Sequence, residues 1–209
     1  MRDGAIRMNE RLFEQVNAFA RATPWLHLIV VGYAGYGVVL FGVLLLAGWW
    51  NARRAGSAQR MAAVVCAGAA ALIAVAVNQP IVDAVGEARP YTTYPQILVL
   101  AHRSTDFSFP SDHAVMAGAV AVGLVFVSRV LAAAAVAAAL LMAFARVYVA
   151  AHYPVDVAAG LVLGAVVAVA CYALSRRLLV RGVHAVASTR LRPLVTASAL
   201  HDEQPGRTR

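Results

Sequence analysis

The chain is 209 residues long, 61% hydrophobic and only 13% charged, with a mean hydropathy of +0.70. Soluble domains run at about 45–50% apolar and about 25% charged, so this composition excludes a water-soluble globule and points to an integral membrane protein. The formal charge of +8 comes from 18 basic side chains, all arginine; most flank apolar segments, which is the pattern of membrane orientation, and no basic stripe with stacking aromatics supports nucleic-acid binding.

Residues 1–25 combine Arg2, Arg7, Arg11 and Arg21 with Asp3, Glu10 and Glu14. Leu12, Phe13, Val16, Phe19 and Ala20 recur at helical spacing, which predicts an amphipathic helix lying in the membrane interface. If that helix spans instead, the N-terminus changes side but the later loops do not. The first span is expected at 26–50. It is too long for the apolar core of a signal peptide and ends in Trp49-Trp50-Asn51-Ala52-Arg53-Arg54, an aromatic belt with a basic stop, so it reads as a retained anchor.

Four more spans are expected at 61–80, 113–128, 130–149 and 155–175, each near the ~20 apolar residues a bilayer crossing needs. The third and fourth are short and separated only by Ser128-Arg129-Val130, which predicts a tight helical hairpin. Their many Ala and Gly residues permit close helix approach. Cys66 and Cys171 lie inside spans without metal-ligand spacing and read as small core residues. The fold class is thus all-α, a membrane helical bundle of about five spans plus the interfacial helix. Residues 26–176 form the transmembrane domain, and 177–209 a basic tail that is partly disordered.

Arg53, Arg54 and Arg60 in one loop, and Arg176, Arg177, Arg181, Arg190 and Arg192 in the tail, place both segments in the cytoplasm. Residues 81–112 and 150–154 then lie outside. Ionisable residues against membrane helices are functional candidates by default, and here they concentrate in three places on that outer side. Arg89 with Pro90, in Gly86-Glu87-Ala88-Arg89-Pro90, holds a guanidinium on stiff extended backbone suited to phosphate. Ser108-Phe109-Pro110-Ser111-Asp112-His113 opens the third span; Ser111 or Asp112 can cap it, its first-turn N–H groups can bind an anion, and His113 can donate or accept a proton there. Arg146 closes the fourth span, and His152 and Asp156 are four residues apart, so that a carboxylate can orient the imidazole. Taken singly, Arg89-Pro90 reads as a loop and the second segment as a plain helix cap with a solvated His, whereas His152 and Asp156 with Arg146 six residues upstream are not a common chance arrangement. His102 and Asp106 share the same outer loop, as solvated residues or as further site residues. Metal ligation by His113, His152 and Asp156 has the right donor types, but two arginines aimed at one pocket repel a cation.

Together, Arg-Pro, Pro-Ser-x-His and Arg-x5-His-x3-Asp, in this order at helix ends, resemble the type 2 phosphatidic acid phosphatase superfamily over roughly residues 78–165. Glu87-Ala88-Arg89-Pro90 and Phe107-Ser108-Phe109-Pro110-Ser111-Asp112-His113 resemble more closely the bacterial undecaprenyl-diphosphatases associated with bacitracin resistance, as does the opening Met8-Asn9-Glu10-Arg11-Leu12-Phe13. The chain departs from the broad pattern at Val82, where the superfamily has Lys, at Asp112 for Gly, and at Ala145 for Ser.

The resemblance implies that His152 attacks phosphorus, Asp156 orients it and His113 serves the leaving group and then water. It implies that Arg89, Arg146 and the backbone around Ser111 hold the phosphoryl oxygens, with no cofactor and no metal. Glu87, Pro90, His102, Asp106 and Asp112 are further candidates. The implied reaction is hydrolysis of a polyprenyl diphosphate to the monophosphate, in the plasma membrane of a bacterium, with the site on the extracytoplasmic side and a role in recycling the lipid carrier for peptidoglycan. A phosphatase for phosphatidic acid or phosphatidylglycerol phosphate is the alternative enzyme. A transporter or scaffold is the non-enzymatic one, and it predicts ionisable groups near the midplane or broken helices, of which spans one, three and four offer almost none. The expected partners are the lipid substrate and the bilayer.

Overall fold

A computed structural model describes residues 2–197, with side chains from Ile6 onward. Every regular element among them is helical: α1 (Arg2–Ala22), a 3-10 turn (Pro24–Leu26), α2 (His27–Tyr36), α3 (Val38–Ala55), α4 (Ala58–Val85), α5 (Pro90–Thr93), α6 (Asp112–Val125), α7 (Arg129–Tyr148), α8 (Pro154–Ala187) and α9 (Arg192–Val195). Helices α4, α7 and α8 are long and apolar enough to cross a membrane.

The other two expected spans differ from simple rods. The segment 26–50 is broken into α2 and α3, bent by 57°. The break falls at Gly37, where a Cβ would lie 2.4 Å from the Tyr33 carbonyl oxygen and 2.6 Å from Met142 Cε, so only glycine fits. Helix α6 has 14 residues. At about 1.5 Å per residue it covers about 21 Å of a core about 30 Å thick. The bundle therefore has three long spans, a bent pair and a short apolar helix enclosed by its neighbours.

Ser57 starts α4 by accepting a hydrogen bond from the Arg60 N–H at 3.3 Å, and Gly86, at φ 62°, ends it in the left-handed region that glycine adopts without strain. The hairpin expected of the third and fourth spans forms, α6 against α7, and the glycines of α6 serve further contacts. A Cβ on Gly118 would lie 2.3 Å from the Leu161 carbonyl oxygen of α8, and one on Gly123 would lie 2.5 Å from Ala67 Cβ of α4. From the other side, a Cβ on Gly160 would meet the Ser111 carbonyl oxygen at 2.8 Å, and one on Gly164 the Val115 carbonyl oxygen at 1.9 Å. Backbone therefore packs on backbone where α6 and α8 cross. The crossing brings the two helix starts together, so that the Ser111 N–H donates to the Asp156 carbonyl at 3.2 Å.

Helix α1 has three faces. At about 100° per residue, Phe13, Asn17 and Ala20 share the buried side, Met8, Leu12 and Phe19 an exposed apolar side, and Arg7, Arg11, Glu14 and Arg21 an exposed polar side. The buried side packs on the end of the bundle that holds the outer loops. Asn17 donates to the Leu98 carbonyl at 2.7 Å and accepts from the Leu98 N–H at 3.1 Å.

At the opposite end, α8 continues to Ala187, eleven residues into the segment expected to be tail. Chain 192–197 then folds back on α3: Trp49 Nε1 donates to the Leu194 carbonyl at 2.8 Å, and the Ala197 N–H to the Arg53 carbonyl at 3.0 Å. The rest of the tail, where disorder was expected, lies outside the described residues.

Gly164→Ala should lower the thermal midpoint of the purified protein by the equivalent of about 1–3 kcal/mol, the usual cost of overpacking a close contact. Gly182→Ala, on the same helix but with nothing within 4 Å of its Cβ, should not. Equal midpoints for the two variants in a thermal melt would refute the crossing described above.

Candidate active site

Three loops meet at the α5 end of the bundle. Arg89, extended at φ −67° and ψ 152° as the residue before proline must be, precedes α5. Ser108–Ser111 leads into α6. The turn between α7 and α8 carries His152, after Ala150 at φ 62°, a left-handed conformation that costs an alanine about 1–2 kcal/mol. That turn is held from outside, because Leu100 and Ala101 both donate N–H to the Val149 carbonyl, at 3.2 and 2.9 Å. Ser108, Ser111, Asp156, His152 and Arg89 are all buried.

His152 Nδ1 donates to the Ser108 carbonyl oxygen at 2.7 Å. This fixes the tautomer and leaves Nε2 with a bare lone pair. Two guanidinium groups converge on that lone pair, Arg89 Nη1 at 3.3 Å and Arg146 Nη2 at 3.2 Å. Burial, reinforced by the Arg146 and Arg89 charges, holds the His152 pKa below its ordinary value against the opposing pull of Asp156. The imidazole is therefore a neutral base at neutral pH.

The expected His152–Asp156 contact takes a less direct form. Their closest approach, Nδ1 to Oδ2, is 3.7 Å. Helix α8 begins only at Pro154, so His152 stands outside it and the spacing of four does not place the two groups as it would within a helix. Ser108 joins them instead. Its hydroxyl donates to Asp156 Oδ2 at 2.5 Å while its carbonyl accepts from the imidazole. The same carboxylate oxygen accepts from the Tyr153 N–H at 2.8 Å. Ser108 is the residue that sequence reasoning passed over. Its signal was its place within the second motif, three residues before Ser111.

A cavity of about 430 Å³ opens beside His152 and is lined by Arg89, His102, Asp106, Asp112, His113 and Arg146, with Gln79, Val82 and Asp83 from α4. The structure thus brings together most of the expected site residues, including His102 and Asp106. Ser111 makes no side-chain cap to α6. Among the described residues, Ser111 Oγ and Arg146 Nε are buried without a hydrogen-bond partner. Arg146 Nη1 is steadied at 3.3 Å by the Ala34 carbonyl of α2, in the last turn before the break at Gly37.

Two candidates, Glu87 and Pro90, take other places, and Asp112 lines the cavity with its carboxylate committed elsewhere. Asp112 Oδ1 accepts from Asn78 Nδ2 at 2.7 Å and Gln79 Nε2 at 3.0 Å, tying α6 to α4. Asn78, a fully buried amide inside an apolar span, is the signal that could have flagged this tie. Glu87 lines a separate cavity with Glu10, Tyr94 and Tyr153, and burial, with the Asp156 charge, raises its pKa. Pro90 is buried at the start of α5. Val82 lines the same cavity as His152 with a methyl surface where the superfamily pattern has an ammonium. Ala145 is packed among Ala20, Val30 and Tyr148.

An all-helical membrane bundle, with two arginines and a neutral histidine lining one polar cavity, defines a membrane-embedded phosphatase. The chain belongs to the PAP2 superfamily, whose profile matches residues 63–179. It is 29% identical to the undecaprenyl-diphosphatase BcrC of Bacillus subtilis over 160 residues, 77% of this chain and 80% of that one. It is 32% identical to an undecaprenyl-diphosphatase of Sulfolobus acidocaldarius over 94 residues, 44% of this chain and 46% of that one. Among solved structures, LpxE of Aquifex aeolicus superposes with a TM-score of 0.61 at 22% identity, covering 79% of this chain and 95% of that one. A PAP2-type phosphatidylglycerolphosphate phosphatase of Bacillus subtilis superposes with a TM-score of 0.56 at 20% identity, covering 81% and 87%. These two share the fold.

Ser108→Ala should lower kcat by about a hundredfold, the usual effect of letting a reacting group drift by about 1 Å, with KM little changed. A matching rise in KM would show that Ser108 serves binding and not His152. Because the His152 pKa is depressed, its free base persists as pH falls. The acid limb of the kcat/KM profile, which reports the free enzyme, should therefore lie below the ordinary imidazole value of about 6.5. A limb at or above that value would contradict the buried, arginine-flanked imidazole.

Proposed function

We propose that the protein hydrolyses a polyprenyl diphosphate to the monophosphate and inorganic phosphate, at the extracytoplasmic face of a bacterial inner membrane. The observation that carries this reading is the His152 Nε2 lone pair, pinned by the Ser108 carbonyl behind it and faced by two guanidinium groups. That arrangement suits attack on an electrophile bearing several anionic oxygens. The polyprenyl diphosphate assignment draws on the two undecaprenyl-diphosphatases the chain is similar to.

In the first step Nε2 attacks the terminal phosphorus and an N–P bond forms. The bond to the bridging oxygen breaks, and its electron pair leaves with the lipid monophosphate. As Nε2 becomes bonded, the imidazole gains positive charge. Asp156 stabilises that charge at 3.7 Å and through Ser108. Arg89 and Arg146 move their N–H groups from Nε2 to the equatorial oxygens, and the unpartnered Ser111 Oγ and Arg146 Nε are further donors for them. His113 gives its proton to the leaving oxygen and is left as the free base that the second step requires. In the second step His113 takes a proton from water, the oxygen attacks phosphorus, the N–P bond breaks, and phosphate leaves with His152 restored. The two guanidinium charges do the electrostatic work that Mg²⁺ does in many phosphoryl-transfer enzymes, so turnover should proceed in EDTA.

The orientation rests on the arginines. The site lies at the end of α4 and the start of α8, whereas Arg53, Arg54, Arg60, Arg176, Arg177 and Arg181 lie at the opposite ends of these helices and of α3. An excess of arginine marks the cytoplasmic side. An outward-facing site fits a role in returning a lipid carrier to use in cell-wall synthesis.

The enzyme should hydrolyse polyprenyl diphosphate faster than phosphatidic acid or phosphatidylglycerol phosphate when purified protein is assayed on the three side by side. The reverse order would make it a phospholipid phosphatase. His152→Ala should lose both turnover and the acid-labile phosphoprotein formed in a single turnover; ordinary activity in a folded, membrane-inserted variant would remove the mechanism. For orientation, Thr92→Cys and Ser188→Cys, both exposed, can be labelled in intact cells by an impermeant thiol reagent after replacing Cys66 and Cys171. Labelling at 92 and not at 188 is expected, and the opposite pattern inverts the topology.

A further inference from the structure

Asp106 presents two oxygens of one residue to adjacent donors of Arg89. Arg89 Nε donates to the Asp106 main-chain carbonyl at 3.2 Å, and Nη2 lies 3.1 Å from the Asp106 carboxylate Oδ1. These are the two N–H groups along one edge of the guanidinium, the edge that grips phosphate through two parallel bonds. The third nitrogen, Nη1, is taken by the Ala151 carbonyl at 3.0 Å and by His152 Nε2. All three nitrogens of Arg89 are therefore engaged by groups of the protein.

The loop that carries Asp106 is anchored next to it at Ser104. Tyr91, buried in α5 just after Arg89, accepts from the Ser104 N–H at 2.9 Å and donates to the Ser104 carbonyl at 3.2 Å. The Ser104 hydroxyl donates to Asp106 Oδ1. Asp106 itself remains half open to solvent, with its side chain 57% exposed against 9% for Arg89. Burial alone would raise the Asp106 pKa, but the Ser104 hydroxyl and the Arg89 charge outweigh it and hold the carboxyl below its usual range. The aspartate is thus an ionised, solvent-accessible anion seated on a buried arginine.

We propose that Asp106 is a built-in competitor for the phosphoryl group: its carboxylate holds the Arg89 edge, yields it to the terminal phosphate of the substrate, and takes it back as inorganic phosphate leaves. This rests on the assignment of Arg89 to phosphate binding. A carboxylate of single charge is displaced by a phosphate of higher charge with three acceptor oxygens, but it still weakens the grip on phosphate. Two arginines in a buried site would otherwise retain the product. Asp106 thereby sets how tightly the site holds any phosphate, and favours substrates that bring additional binding energy from their lipid chain.

The test measures competitive inhibition by inorganic phosphate and by orthovanadate in full-length Asp106→Ala and Asp106→Asn protein, with Asp83→Asn as control. Asp83 lines the same cavity from α4, so its neutralisation reports the general effect of removing a negative charge. The inhibition constants for both anions should fall about tenfold in the Asp106 variants, the order expected when one charge-assisted hydrogen bond stops competing. KM should fall with them, and kcat should fall as phosphate release slows. The Asp83 variant should change by much less. An equal fall in the Asp83 variant reduces the effect to bulk electrostatics, and an unchanged or raised constant in both Asp106 variants makes Asp106 a supporting residue of the phosphate site; either result overturns the proposal. If neither anion inhibits the unmodified enzyme, the phosphate-site assignment itself fails, a separate outcome.

Discussion

The active-site loops depend on the crossing of α6 and α8, which is possible only because Gly118, Gly160 and Gly164 leave no side chain between two backbones. In a membrane, apolar area gives helices little reason to associate, and close backbone contact through small residues is what holds them. Here that contact does more than stabilise. It sets two helix starts side by side, so that Asp156, in the first turn of α8, faces Ser108 and Ser111, which lead into α6. The buried Ser108–Asp156 bond follows from that placement, and the orientation of His152 follows from the bond. A side chain at position 164 would act on the imidazole through two intermediate contacts.

The site is electrostatically unusual in keeping two cations and a neutral base together in a largely buried space. Each guanidinium is held by backbone carbonyls, Ala151 and Asp106 for Arg89 and Ala34 for Arg146. Carbonyl dipoles satisfy the N–H groups of Arg146 without neutralising its charge, whereas Arg89 also meets the Asp106 carboxylate, 3.1 Å from Nη2. The break between α2 and α3 belongs to this arrangement, since the Ala34 carbonyl that steadies Arg146 sits in the last turn before it. The bend at Gly37 is therefore connected to the chemistry by one hydrogen bond.

Helix α1 joins the bundle's surface to the same machinery. Phe13 packs edge-on against Tyr153, the residue after His152, with ring centroids 5.4 Å apart. Asn9 accepts from the Val155 N–H at 3.0 Å in the first turn of α8, and Thr23 pairs with the Tyr148 hydroxyl at 2.9 Å at the end of α7. The turn that carries His152 is thus gripped at both ends by one amphipathic segment. The exposed Met8, Leu12 and Phe19 lie on a different side of that segment from Phe13 and Asn17, and Phe19 continues onto Phe144 of α7.

By itself the sequence determined the membrane class, the approximate position of each apolar segment, the basic and polar ends, and the three motifs that supply Arg89, His113, Arg146, His152 and Asp156. These are local properties: a run of apolar residues must leave water wherever it packs, and a charged residue at a helix end is visible without knowing its neighbour. The tertiary structure decided what depends on pairs far apart in the chain. Nothing local to residue 37 announces a 57° bend, because Gly32, Gly35 and Gly42 nearby carry the same conformational freedom and only Gly37 meets Met142. Nothing in Ser108 distinguishes it from other loop serines until α8 brings Asp156 beside it, 48 residues on. Asp106 had the same two readings as any loop carboxylate until Arg89 came within reach of its main-chain carbonyl and its carboxylate Oδ1. Hydropathy records which side chains avoid water, but a hydrogen bond also needs a second atom at a set distance and angle, and for these residues that atom is supplied by a different helix.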